Sequence, residues 1–546
     1  MSSEDEGERY FHPFHEDPCD GESPAPGTWP PKTLAELRMC RLSAQIREKP
    51  LWWEKFREES IRKKWIQEVK EQQADLKPYE KLTDNMVNYV VNELEGYAKL
   101  RDQKTGIECG PYERIFVSDT LVPADIRTAL RLAVKPLEDV PENKKDWHPG
   151  SDGRVLDLVH PSLYPVIFDV TWGTKSNGEL GTFENPDADE LNVAHMFVSE
   201  RFQWLPSDFE VSKSGGVKLK SPYINNIYPE HHDALIPVIE RVMECAVPLW
   251  ERVLSALRRD PVPARVRHGL KPEEWNSEHL PCIWFNSDQH PENSEEEREQ
   301  AQDYHAWHER RLIRGPLCLP DAPESYDEDA LKEDMTVSLL GSPIQVIVKL
   351  ASIHLSPGDE YPGGKWHVEG MATESIVSTF IYYFHSENIE PVDLNFRMAT
   401  QAPQPHEQDD SSCMNILYGI RRDNACAQDI GSHQVSPFKL VDKTKPGIRK
   451  ILVFFLVDPT VNIISATNVP PQQLEVVKHI LRSQGPSSRL SLLPIELLDY
   501  IAEHIPGVQS RAEAEAVRVE LMEERSVMIE GVDKEFFSRE FNMCEH

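Results

Sequence analysis

Residues 336–470 constrain the fold most. Four runs of β-branched and aromatic residues stand there: Gln345–Leu355 (QVIVKLASIHL), Ser375–Phe384 (SIVSTFIYYF), Leu394–Met398 and Arg449–Val457 (RKILVFFLV). Turn-forming stretches such as SPGDEYPGG separate them, and the stretches between them lack helical periodicity. Short strands without intervening helices predict an antiparallel sandwich or barrel.

The flanks differ in character. Residues 1–33 are rich in acid, Pro and Gly, and read as a disordered arm, because little apolar surface offsets the entropy of ordering. Residues 34–75 turn helical, with Leu34, Leu37, Cys40, Leu42 and Ile46 at three-to-four spacing. Pro50 should break this run into two helices. Trp52, Trp53, Phe56, Ile61 and Trp65 then form an aromatic stripe. Packing onto the main body is its favoured reading, and a protein partner is the alternative.

Residues 76–335 are mixed. A helix is expected over Asp84–Leu100, and an irregular strand over Val155–Trp172, interrupted by Pro161 and Pro165. The turn-rich loop SPYINNIYPEHH then feeds a long helix from Asp233 to about Arg258, with Pro237 in its first turn and a kink at Pro248. Two acidic segments, 289–303 and 321–334, read as solvated loops or short surface helices. Residues 471–546 form a helical tail, with helices expected over Gln472–Leu481, Pro494–His504 and Ala512–Met528. The fold class expected is therefore α+β: a β core over 336–470 with N-terminal and C-terminal helical additions.

Lys and Arg total 59 and Asp and Glu total 92, giving a net charge of −33. So acidic a surface repels phosphate backbones and anionic lipid, which argues against nucleic acid or membrane as the main partner. The apolar run Ile451–Val457 is far too short to span a bilayer, and Met1–Tyr10 lacks the layout of a signal peptide. Nine scattered cysteines, with no CxxC pair, read as free thiols in a reducing compartment. An intracellular protein, cytoplasmic or nuclear, is expected.

Chemistry concentrates in YPGGKWHVEGM, Tyr361–Met371. In extended chain, His367 and Glu369 point to the same side, so an imidazole and a carboxylate share one space. With a distant second His they would make a two-His-one-carboxylate triad, which suits Fe(II) and leaves positions open for co-substrate and O₂. HxE alone is weak, and its bland reading is a surface loop. The segment His433–Pro459 supplies the second imidazole, His433, and a guanidinium, Arg449, at the head of an apolar strand. An Arg fork binds a carboxylate bidentately and would suit the distal carboxylate of 2-oxoglutarate. A salt bridge from Arg449 to Asp442 or Asp458 is the duller alternative. His305 and His308, one helical turn apart, read as a solvated helix face. Tyr223, Asn225 and Asn226 could line a cleft, though turn formation alone accounts for the asparagines.

The order strand, His367-x-Glu369, strand, His433, Arg449 on a final strand resembles the double-stranded β-helix (jelly-roll) of the Fe(II)/2-oxoglutarate-dependent oxygenases, in particular the prolyl-hydroxylase-like branch. The phrases SPYINNIYPEHH, QVIVKLASIHLSP, YPGGKWHVEGM, TKPGIRKILVFFLVDP and EFFSREFNMCEH resemble the largely fungal family called domain of unknown function 4246, over nearly the whole chain. The resemblance implies that His367, Glu369 and His433 hold Fe(II), that Arg449 clamps 2-oxoglutarate, and that an unidentified substrate is hydroxylated. One departure stands out: Gln428–Ser432 runs directly into His433, where family members carry a further strand-and-turn segment. A missing core strand would leave a catalytically inactive chain, so the second expectation is a non-catalytic interaction or scaffold protein on the same fold. A cupin-type metalloenzyme without 2-oxoglutarate is the third.

Overall fold

A computed structural model describes residues 31–186, 195–259, 335–397, 411–420 and 432–533, with Tyr10, residues 264–266 and 321–327 and a few single residues between them. Most of the acidic arm, the segment 289–303, His305, His308 and residues 421–431 lie outside the described residues.

The first helices are α1 (Leu34–Arg47), α2 (Trp52–Lys55), α3 (Glu59–Gln72) and α4 (Asp84–Leu100). Thr33 and Thr83 cap α1 and α4, their side chains accepting the Glu36 and Met86 N–H groups. The chain leaves α1 just before Pro50, as its missing N–H requires. The second expected helix comes in two pieces, because α2 stops at Lys55. Trp52, Phe56 and Trp65 are buried with Met86, Val90 and Leu94 of α4. The aromatic stripe is thus used in packing.

The long helix α5 (Ile236–Leu257) holds Pro237 in its first turn and runs on through Pro248. Its apolar face, Ile239, Val242, Met243, Ala246, Trp250 and Leu254, is buried in the main core. The strands that matter for the site are β1 (Val155–Val159), β2 (Ser207–Val211), β3 (Val217–Leu219), β4 (Pro343–Leu355), β5 (Glu360–Tyr361), β6 (Ile376–Glu387), β7 (Leu394–Arg397), β8 (Ser432–Val435), β9 (Phe438–Lys439) and β10 (Gly447–Val457). A last long helix, α6 (Arg511–Val532), opens on a capping box between Ser510 and Glu513.

The large sheet runs β6-β10-β4-β2-β3, with β1 also on β4. Its ladders are antiparallel, from Val346↔Leu456 to Leu355↔Gly447 between β4 and β10, and from Ile376↔Val457 to Glu387↔Ile448 between β6 and β10. Alternation explains the uninterrupted apolar runs. Ile344, Val346, Val348 and Leu350 join Leu452, Phe454 and Leu456 in the cluster that holds the α5 face. On the opposite face, Ile347, Val453 and Phe455 meet Trp204 and Leu521. Both faces are covered, so neither needs polar residues. Each fully buried Leu or Phe here stabilises by about 1.5–3 kcal/mol.

Smaller ladders join β5 to β9 and β7 to β8. The fold is α+β with several antiparallel sheets, and no barrel closes among the described residues. No helix among them is long and apolar enough to cross a membrane.

Candidate functional site

The loop after β5 carries the HxE pair. Gly363 sits at φ +92°, and a Cβ there would stand 3.0 Å from the Val435 carbonyl oxygen, so glycine is what this approach admits. Gly364 then donates its N–H to the Val435 carbonyl (2.9 Å) and accepts the Gln434 side-chain amide (2.8 Å). These bonds hang the loop on β8.

His367 Nδ1 lies 2.8 Å from the Lys365 carbonyl, and Nε2 lies 3.4 Å from Glu369 Oε1. A carbonyl can only accept, so Nδ1 carries a proton, and in the neutral ring the Nε2 lone pair faces Glu369. That is the tautomer a metal-binding imidazole needs. Burial disfavours protonating His367, but the hydrogen bond and charge of Glu369, helped by the Lys365 carbonyl, win and raise its pKa above the ordinary histidine value.

His433 lies on β8, opposite Phe396 of β7. The ladder and the HxE loop are joined a second time, by Arg397 of β7 stacked over the Trp366 ring at 4.3 Å. The backbone carrying His433 is therefore a direct neighbour of the segment carrying His367 and Glu369.

Arg449 lies on β10 between Ile353 and Ser386. Its guanidinium stacks on Tyr383 at 4.1 Å and lies 5.9 Å from the Phe438 ring. Neither carboxylate named for it from sequence reaches it among the described contacts. Asp442 serves Thr444 and Lys445, and Asp458 serves Thr460 and the Tyr10 N–H. Arg449 Nη1 is buried without a hydrogen-bond partner, and burial lowers the pKa of the group.

A second group was not singled out from the sequence. His148, Asp157 and His160 bring donor atoms within 4.8 Å of one another. Asp157 lies on β1 opposite Ala351, its Oδ2 is 2.8 Å from His148 Nδ1, and its Oδ1 is buried without a partner. Burial pushes the His160 pKa down to about 3 against the pull of Asp157. Burial also works to raise the Asp157 pKa, but the two imidazoles outweigh it and lower it. These three side chains could hold a metal ion. The tautomers, however, separate the two groups. Ser162 donates its N–H to His160 Nδ1 (3.2 Å), which puts the neutral ring's proton on Nε2. A metal on that Nε2 requires the proton to move and the Ser162 bond to break, whereas His367, once neutral, keeps its Lys365 bond and needs no change of tautomer.

Both groups share an electrostatic neighbour. Lys349 of β4 acts on His367 and also on Asp157 and His160.

The family model described as a protein of unknown function, DUF4246, matches residues 84–480, and the model of the DUF4246 N-terminal domain matches residues 1–68. The chain belongs to the DUF4246 family. No curated protein and no solved structure matches it. In this DUF4246 protein the asparagines of SPYINNIYPEHH are tethers. Asn225 Nδ2 donates to the Leu163 carbonyl (3.1 Å), and Asn226 Nδ2 to those of His160 and Leu163 (both 3.2 Å). They fix the segment that carries His160. The only sequence signal for that group was the crowding of His148, Asp157 and His160 within a short stretch.

Proposed function

We propose that this DUF4246 protein is an Fe(II)- and 2-oxoglutarate-dependent oxygenase-like protein on a jelly-roll core, with His367, Glu369 and His433 as metal ligands and Arg449 as the co-substrate anchor. The observation that carries the reading is the convergence of His367 Nε2 and Glu369 Oε1 at 3.4 Å on a loop bonded to the strand of His433. The winding supports the jelly-roll part. Successive segments alternate between the large sheet (β4, β6, β10) and the small ladders (β5, then β7 to β9), which is how a chain wraps two facing layers.

The residues fit the implied groups. Two imidazoles and one carboxylate are the donor set of non-haem Fe(II) sites, and bound iron would supply the O₂ chemistry. The orphaned Nη1 of Arg449 is a buried donor awaiting an acceptor, and a carboxylate satisfies it with a charge-assisted bond. Tyr383 and Phe438 wall the guanidinium with aromatic surface, which keeps water from competing for it. The Lys365 carbonyl holds the His367 ring in its ligand tautomer.

One observation favours the second reading, a non-catalytic binding module. Among the described residues β6 is an edge strand of the large sheet, where one more strand would be expected to pair. Turnover separates the two. His367→Ala should abolish iron-dependent conversion of 2-oxoglutarate to succinate by the full chain. Succinate formation that survives the substitution would reject the ligand assignment, and none in the unsubstituted chain would favour the binding module.

A further inference from the structure

We infer that the C-terminal helix α6 aligns the site: Arg525 and the C-cap residue Asp533 each pin a segment that bears a candidate ligand, and Arg518 pins the neighbouring His148, Asp157 and His160 group. This rests on the reading of His367, Glu369 and His433 as ligands. The helix lies outside the residues matched by either family model.

The first contact is Arg518, 5% exposed, whose Nη1 sits 2.8 Å from both carboxylate oxygens of Asp146 and 3.7 Å from Asp157. The Asp146 carbonyl in turn accepts the Asp157 N–H at 2.9 Å. Seven residues on, Arg525 Nη2 reaches Glu374 Oε1 at 2.6 Å, and its guanidinium stacks on Trp204 at 3.8 Å. Glu374 is fully buried and also accepts the N–H groups of Met371 (2.6 Å) and Trp204 (2.8 Å). Met371 follows Glu369 by two residues, so Arg525 acts on the HxE loop through one carboxylate. Eight residues further, Asp533 pairs with Arg397 at 2.8 Å. Arg397 stands opposite Ser432, next to His433.

Spacings of seven and eight residues keep all three on one side of the helix, over about 22 Å at 1.5 Å per residue. Between them Leu521, Met528 and Val532 bury the same side. Apolar side chains would fill the buried Arg518 position and the largely covered Arg525 position at lower desolvation cost, so both are poor choices for packing alone. Arg518 instead meets Asp146, two residues before His148, and Arg525 meets Glu374, which is bonded to Met371 two residues after Glu369. Arg525 and Glu374 are thus positioning residues.

Full-length variants test this. In Arg525→Met, amide exchange across residues 365–371 should rise at least tenfold, and Mn(II) affinity should fall about tenfold, the range typical of lost support around metal ligands. Arg525→Lys should recover most of both. The double variant Arg525→Met/Glu374→Gln removes the stranded buried charge, so loop exchange can be read in a folded chain. Phe454→Ala is the control: it lowers the melting temperature without contacting α6, and should leave exchange at 365–371 unchanged. Equal exchange at 365–371 in Arg525→Met, the double variant and the unsubstituted chain would overturn the alignment role. If the unsubstituted chain binds no Mn(II), the ligand reading falls, and the exchange data alone judge the alignment of the loop.

Discussion

Gly364 and Val435 share a backbone hydrogen bond of 2.9 Å, and through it the strand of His433 runs beside the loop of His367 and Glu369. Seventy residues of chain are closed by this contact, which brings the backbone that carries His433 beside the HxE loop.

Substitution of Gly363 should loosen that junction. Its φ of +92° strains any other residue, and a Cβ would press on the Val435 carbonyl. Gly363→Ala should cost about 1–3 kcal/mol. Urea unfolding of the full chain measures it, and a loss of a few tenths would show that the backbone relaxes freely there.

Arg449 makes an opposite prediction for stability and binding. Its Nη1 is already unsatisfied, so Arg449→Met removes a buried orphan donor and should leave the melting temperature nearly unchanged or raised. The same variant should bind 2-oxoglutarate at least tenfold more weakly, by loss of a charge-assisted carboxylate bond worth about 1.5–3 kcal/mol. Calorimetry gives both numbers. Unaltered 2-oxoglutarate affinity would remove Arg449 from the site.

His160 predicts a pH dependence of folding. Its folded pKa falls from 6.5 to about 3, so between those values the unfolded chain binds a proton that the folded chain refuses. Stability should therefore rise with pH through this window, by at most about 1.4 kcal/mol per pH unit from this group. Asp157, lowered as well, adds to the loss at the acid end: its contribution is present above its unfolded pKa and disappears as pH falls. His367 has the opposite sign: raised, it contributes below the ordinary histidine pKa, and that contribution is lost as pH climbs through its folded value. Urea unfolding from pH 4 to 7 should show a slope that His160→Gln flattens. A slope left intact by that variant would assign the effect elsewhere.

Local pattern made much of this fold legible. Helical spacing located Asp84–Leu100 to the residue, and β-branched runs located β4, β6, β7 and β10 within a few positions. Pairing order was not legible, because β10 inserts between β4 and β6 through contacts about 60 to 110 residues apart in sequence. The HxE pair was visible, since its geometry is local. His148 was not: it meets Asp157 because residues 146–148 fold back on β1, with Trp147 opposite Leu156 and the His148 N–H on the Val155 carbonyl. Arg449 was expected to face either a ligand carboxylate or Asp442 or Asp458, and the Tyr383 ring it actually meets lies on a different strand. The region of α6 read only as part of a helical tail, because the partners of its charges lie more than a hundred residues away.

Anaerobic calorimetry with Mn(II) decides which of the two histidine groups holds a metal. The full chain should bind one equivalent through His367, Glu369 and His433, more tightly at higher pH, because coordination needs the neutral imidazole, and more tightly again with 2-oxoglutarate present. His367→Ala should abolish that equivalent, whereas His160→Ala should spare it. Binding that survives His367→Ala and disappears with His160→Ala would reject this ligand set and move the metal to the other histidine group.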